Sequence, residues 1–131
     1  MIQLHDKFFE PYISATEIQA TISEMADKMN VLKSENPHFI VVLNGSFLFA
    51  ADLLKQLDFD AEVSFIKLQS YKGTQTTGTV NEVIGLQADI SKRTVVVLED
   101  IIDTGVTLEK IYALLEVKKF QNLLTQHFYH L

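Results

Sequence analysis

Three carboxylates, Glu99, Asp100 and Asp103, follow the apolar run Val95-Val96-Val97-Leu98 and precede the small, hydroxyl-bearing stretch Thr104-Gly105-Val106-Thr107. Charges beside buried apolar surface are expensive, so the acids need a reason to be there. The apolar run has the pattern of a buried parallel strand. Open α/β sheets bind ligands at the carboxyl ends of such strands. The turn from Asp103 to Thr107 can aim backbone N–H groups and two hydroxyls at an anion, with the N-terminus of a following helix behind them. Acids beside an anion cradle would repel its guest unless a sugar diol or a Mg²⁺ ion lies between them. Hard cations take carboxylate and phosphate oxygens together. A second stretch, Leu43-Asn44-Gly45-Ser46, closes the apolar run that begins at Phe39 and stands before a helical pattern. Asn-Gly-Ser is read either as an ordinary tight turn or as a second oxyanion cradle at a helix N-terminus.

The surrounding elements must position these residues. Ser14-Ala15-Thr16-Glu17 is a capping box, and Ile18, Ile22, Met25, Met29 and Leu32 then mark one helical face, with the methionines as core fillers. Asn36-Pro37 closes that region. Phe39–Leu43 predicts a buried parallel strand, and Phe47–Leu57 a helix. Residues 60–69 alternate, with Ala61, Val63, Phe65 and Lys67 on one face and Glu62, Ser64, Ile66 and Leu68 on the other, so a strand covered on both sides is expected. Residues 72–79 carry no apolar anchor and predict a mobile loop, with an antiparallel strand at Val80–Leu86 behind it. That loop is a plain hairpin tip or a lid over a ligand. Thr94–Leu98 is the strand of the main motif, and Thr107–Lys118 reads as a helix with Leu108, Ile111, Tyr112, Leu115 and Lys119 at helical spacing. Residues 1–12 read as an arm. The alternation predicts an α/β fold, a parallel sheet flanked by helices with an antiparallel hairpin.

Composition narrows the function. The chain has 131 residues, 47% of them hydrophobic, enough for one domain with a real core. No run of about 18 apolar residues could span a membrane, and the first residues lack the regions of a signal peptide. With no cysteine, disulfides and thiolate metal sites are excluded, which fits the cytoplasm. A net charge of −6 argues against nucleic-acid binding. It leaves open a phosphorylated small molecule held by backbone dipoles and a metal.

The unbroken Glu99-Asp100-Ile101-Ile102-Asp103-Thr104-Gly105 core resembles the phosphoribosyl-pyrophosphate (PRPP) motif of type I phosphoribosyltransferases, closest to the hypoxanthine-guanine branch. Leu43 to Ser46 resembles that branch's pyrophosphate loop, and Ser70-Tyr71 with Gly73 to Gly78 its mobile lid. The resemblance implies purine salvage, in which a phosphoribosyl group passes from PRPP to hypoxanthine or guanine and pyrophosphate leaves. It implies that Glu99 and Asp100 hold the ribose hydroxyls, directly or through Mg²⁺. Asp103 would take or relay the base proton, and Thr104, Gly105, Val106 and Thr107 would cradle the 5′-phosphate, Val106 by backbone alone. Leu43, Asn44, Gly45 and Ser46 would meet pyrophosphate, with a non-proline cis peptide at Leu43–Asn44. Ser70 and Tyr71 would close above it.

The likeness runs from residue 1 to about 119 and then stops. The branch's purine-reading lysine, stacking aromatic and later metal-binding acid have no counterparts in Phe120–Leu131. The expectation is a single domain over 1–131 that lacks the purine-binding C-terminal region, as a truncated reading frame would, with an atypical tail at 119–131. No further crossover unit is expected after the 107–118 helix. The sheet edge would then be covered by the tail or, the favoured reading, by a second copy through Leu123, Leu124, Phe128, Tyr129 and Leu131, giving a homo-oligomer. His127 and His130 could meet a metal if helical but suit a surface or interface. Two other readings stand beside the transferase. A non-catalytic PRPP or nucleotide sensor of the same fold would keep the cradle and need no base at Asp103. Asp103-Thr104-Gly105 also matches an aspartic protease, but such proteases are all-β and give the Glu99-Asp100 pair no role.

Overall fold

The computed structural model of the chain describes residues 1–70, 80–102, 106–116 and 122–130. The N-terminal arm is a hairpin of β1 (Ile2–Leu4) and β2 (Lys7–Phe9), paired antiparallel with Ile2 opposite Phe9. Its turn passes through His5 at φ 57°. Ile2, Leu4, Phe8 and Phe9 are all exposed.

Helix α1 (Ala15–Asn30) starts where the capping box requires. The Glu17 N–H donates to Ser14 Oγ at 3.1 Å, and the Ser14 N–H donates to Glu17 Oε2 at 3.1 Å. Ile22, Met25, Ala26 and Met29 form its buried stripe. A short 3₁₀ turn at Lys33–Glu35 follows, and Asn36 takes the left-handed conformation, φ 50°, immediately before Pro37. Asn is among the few residues that enter this region at low cost.

The main sheet has five strands: β3 (His38–Leu43), β4 (Glu62–Ser70), β5 (Val80–Ile84), β6 (Thr94–Ile102) and β7 (Asn122–His130). Their order is β5-β4-β3-β6-β7, with β5 antiparallel to β4 and the other neighbours parallel. Helix α2 (Phe47–Leu54) links β3 to β4, and helix α3 (Val106–Glu116) lies between β6 and β7 in the chain. Helix α2 stops short of the expected Leu57, because its last turn tightens into shorter bonds such as Gln56 N–H to Leu53 C=O at 3.0 Å.

The strands build two apolar layers. On one face α1 and α2 bring Ile22, Met25, Met29, Phe49 and Leu53 onto Phe39, Val41, Val96 and Leu98. On the other, Ile111 and Leu115 of α3 meet Ile40, Val42, Ile66, Val95 and Val97, with Ile90 of the preceding loop. The alternation in β4 holds, but cover on both sides does not extend along it: Phe65 is 47% exposed.

The tail departs most from expectation. Residues 122–130 form β7, which pairs parallel with β6 from Thr94↔Asn122 to Ile102↔His130. The chain therefore supplies the further crossover unit itself, and the tail covers the edge of β6 within one subunit. His127 and His130 lie in this strand and not in a helix, which removes the shared helical face that a metal would need.

Polar groups gather at the opposite, amino end of the parallel strands. Arg93 bridges Glu62 at 3.1 Å and donates to the Asn36 carbonyl at 2.8 Å. Buried His38 has Nε2 2.7 Å from Ser64 Oγ. Its Nδ1 lies 3.5 Å from Glu62 Oε2, within ion-pair range but without a hydrogen bond. Burial, reinforced by the Arg93 charge, lowers the His38 pKa below its ordinary 6.5, against the opposing pull of Glu62.

Candidate active site at the switch point

Strands β3 and β6 are neighbours whose following helices go to opposite faces, α2 to one and α3 to the other. Two connections that part in this way open a crevice at the carboxyl ends of their strands, where doubly wound sheets hold their ligands. The register shows where it opens. The β3–β6 ladder ends at Val41↔Leu98, while β6 stays paired with β7 as far as Ile102. Strand β6 is thus four residues longer than the expected Thr94–Leu98, and Glu99 and Asp100 lie within it. The strand continues because β7 supplies a partner after β3 has turned away.

Across the crevice lies the Leu43–Ser46 turn, and the Leu43–Asn44 peptide bond is cis, as the resemblance implies. Asn44 and Gly45 are exposed, whereas Ser46 is fully buried. A serine before a helix ordinarily caps it. Ser46 makes no such cap; its Oγ instead accepts the Asp100 N–H at 3.0 Å. Gly45 completes the join. A Cβ there would stand 2.6 Å from Asp100 Oδ2, so the carboxylate occupies the space that any side chain at 45 would need. Among the described residues no backbone acceptor is paired with the N–H of Gly45 or Ser46.

Glu99 is the least ordinary acid of the described residues. Burial first and the neighbouring Asp100 carboxylate second together raise its pKa to about 7, with the Asp100 N–H and the Ser46 hydroxyl pulling partly the other way. Its Oε2 is buried without a hydrogen-bond partner. A carboxylate oxygen without a partner, beside a second carboxylate, suits a hard cation. Mg²⁺ is usually held through one or two carboxylates with substrate oxygens completing its shell. Among the described residues no group of three or more His, Asp or Glu could enclose a metal without such help.

The structure therefore brings together Leu43, Asn44, Gly45, Ser46, Glu99 and Asp100. Ser70 ends β4 at the same carboxyl edge of the sheet, opposite Val80. Val106 and Thr107 are the first residues of α3. Asp103, Thr104, Gly105, Tyr71 and the 72–79 loop lie outside the described residues. Sequence reasoning missed the engagement of Ser46 with Asp100 and the contact at Gly45. Both are long-range, and no local pattern signals them. None of the helices among the described residues is long and apolar enough to cross a membrane.

Comparison with known proteins agrees with this geometry. The phosphoribosyl transferase domain family matches residues 14–126, which carries the likeness into β7 and past the limit near 119. The hypoxanthine-guanine-xanthine phosphoribosyltransferase of Tritrichomonas foetus is 40% identical over 104 residues, covering 79% of this chain and 57% of that protein. The hypoxanthine-guanine phosphoribosyltransferase of Staphylococcus epidermidis is 34% identical over 122 residues, covering 92% of this chain and 68% of that protein. A solved hypoxanthine-guanine phosphoribosyltransferase from Bacillus anthracis superposes with a TM-score of 0.83 at 32% identity, over 92% of this chain and 73% of its own. The chain thus spans between 57% and 73% of the length of these three relatives. With the family pattern matched from α1 into β7, and with the cis turn and paired acids at its switch point, the chain belongs to the phosphoribosyl transferase domain family.

Proposed function

We propose that the chain transfers the phosphoribosyl group of PRPP to hypoxanthine or guanine and releases pyrophosphate. The observation that carries this reading is the seating of Asp100 against Gly45 and Ser46, which sets the paired acids and the cis turn on facing sides of one crevice. Such a crevice suits a molecule with a diol at one end and a strongly anionic leaving group at the other, as PRPP has. The names of the relatives supply the purine base.

In this reading Glu99 and Asp100 hold the ribose hydroxyls and a Mg²⁺ ion. When bound, the ion would neutralise charge on the pyrophosphate. The backbone of Leu43, Asn44, Gly45 and Ser46 receives pyrophosphate. Thr104, Gly105, Val106 and Thr107 take the 5′-phosphate, where the N-terminus of α3 adds its dipole. Asp103 accepts the proton of the attacking base nitrogen, while Ser70 and Tyr71 close over the site and exclude water. Glu99 shows why two neighbouring acids need a guest. Burial and Asp100 favour its neutral form in the free protein, and a cation between the carboxylates would reverse that preference. We place this activity in the cytoplasm and in a homo-oligomer, without nucleic acid or membrane as partner. The negative net charge opposes nucleic acid as a partner, and the exposed Phe47 and Leu48 beside the turn offer apolar surface to a second copy.

The test is an incubation with PRPP, Mg²⁺ and either base, following nucleoside monophosphate and pyrophosphate together. Base-dependent release of equal amounts is expected. PRPP binding with no release under either base would replace the transferase by the sensor reading.

A further inference from the structure

The Ser46 hydroxyl oxygen accepts the Asp100 N–H at 3.0 Å, one residue beyond Glu99 on the same strand. Ser46 is fully buried and does not cap its own helix; its side chain is engaged with the backbone of the acid strand instead. On the same turn, the absent side chain of Gly45 leaves room for the Asp100 carboxylate. We infer that Ser46 is a positioning residue whose side chain, with the bare Cα of Gly45, seats Asp100 and Glu99 and so couples the pyrophosphate turn to the acid pair. The inference rests on the transferase reading for the identity of the two subsites. It assigns them a linkage that neither has alone. An anion drawn onto the Gly45 and Ser46 N–H groups fixes the turn, and the turn fixes the acids. The part of the ligand that leaves thereby helps to order the part that stays. Groups that orient metal ligands in this way typically alter metal affinity by about 10–100-fold when removed.

The experiment uses Mn²⁺ alone as the probe, its binding followed by electron paramagnetic resonance, with amide hydrogen exchange read on the same proteins. Ser46→Ala should weaken Mn²⁺ binding by about tenfold or more and speed exchange at the Asp100 amide relative to the sheet amides around it. Gly45→Ala keeps the hydroxyl but places a methyl where the Asp100 carboxylate lies, and it too should weaken Mn²⁺ binding, with little change in melting. It decides the matter should Ser46→Ala fail to fold. A merely structural role for Ser46 would lower the melting temperature and leave Mn²⁺ affinity of the folded variants at the parent value, which would overturn the inference. If the parent itself binds no Mn²⁺, the metal reading of the acid pair fails separately. Asp100 exchange then decides alone: acceleration in Ser46→Ala supports the seat, and parent-like protection refutes it.

Discussion

Replacing Glu99 by Gln should stabilise the ligand-free protein, by an amount that grows with pH. In the fold the Glu99 carboxyl titrates near 7 instead of its ordinary 4.5, chiefly because burial opposes its charge and secondarily because Asp100 is beside it. A carboxyl with a raised pKa holds more protons in the folded than in the unfolded chain, so stability declines as pH climbs from about 4.5 to about 7 and is level above. Fully ionised, the group costs about 3 kcal/mol, from about 1.4 kcal/mol for each tenfold change in acidity. Glutamine carries no charge and no such slope. The stability advantage of Glu99→Gln over the parent should therefore widen by about 2.5 kcal/mol between pH 5 and pH 8. A gain of about 3 kcal/mol in a domain of this size corresponds to a melting increase of roughly 10 °C. Urea unfolding of both proteins at the two pH values measures the effect. The amide's own desolvation is independent of pH and cancels in the difference. An advantage that stays flat, or shrinks on going from pH 5 to pH 8, refutes the reasoning. The same substitution should weaken Mg²⁺-dependent PRPP binding, so stability and function would move in opposite directions at one residue.

Asp103→Asn should lower any transfer rate by about 10²–10⁴-fold with PRPP binding largely kept, because the amide cannot accept the base proton; steady-state rates and calorimetry separate the two. PRPP should bind with Mg²⁺ and lose most of its affinity with chelator, since Glu99 and Asp100 otherwise face phosphates of like charge; calorimetry showing equal affinity in both conditions would contradict this. His38 holds fewer protons folded than unfolded, so the protein should lose stability as pH falls below about 6.5, and His38→Gln should lessen that loss in unfolding titrations. Deleting residues 121–131 strips β7 from β6 and should cost on the order of 5 kcal/mol or leave an insoluble product; a soluble deletion with unchanged melting would show that the β6–β7 ladder contributes nothing.

What was legible in the sequence is what local chemistry decides. Ser14 and Glu17 specify the start of α1 to the residue because a capping box is a four-residue device. The continuous apolar runs at Phe39–Leu43 and Val95–Leu98 read as parallel strands because both faces of the sheet are covered. Leu43 to Ser46, Glu99 and Asp100 were recognisable from residue type and the motif they resemble. Element ends were less legible where a distant partner decides them. Strand β6 continues through two acids because β7 runs beside it. The segment Leu123-Leu124-Thr125-Gln126-His127-Phe128-Tyr129-His130 mixes apolar and polar residues without strict alternation, so neither a helical nor a strand period stands out in it. Ser46 was legible only as part of the turn, because nothing local reveals that Asp100, 54 residues later, donates to its hydroxyl.

The unequal ladders on the two sides of β6 have a mechanical consequence. As far as Leu98 the strand is clamped from both sides, and beyond it only β7 runs alongside. The segment from Glu99 to Ile102 is therefore a cantilever, rooted in the sheet and braced along one edge by β7. Ser46 Oγ is a single peg on its open side. The stiffness of such a beam is set by its brace, so exchanges in β7 far from any ligand should alter how accurately the acids are aimed while leaving every ligand contact chemically unchanged. A tail that drifts in sequence would then adjust catalytic efficiency by degrees, and it offers a place to tune this site without touching it.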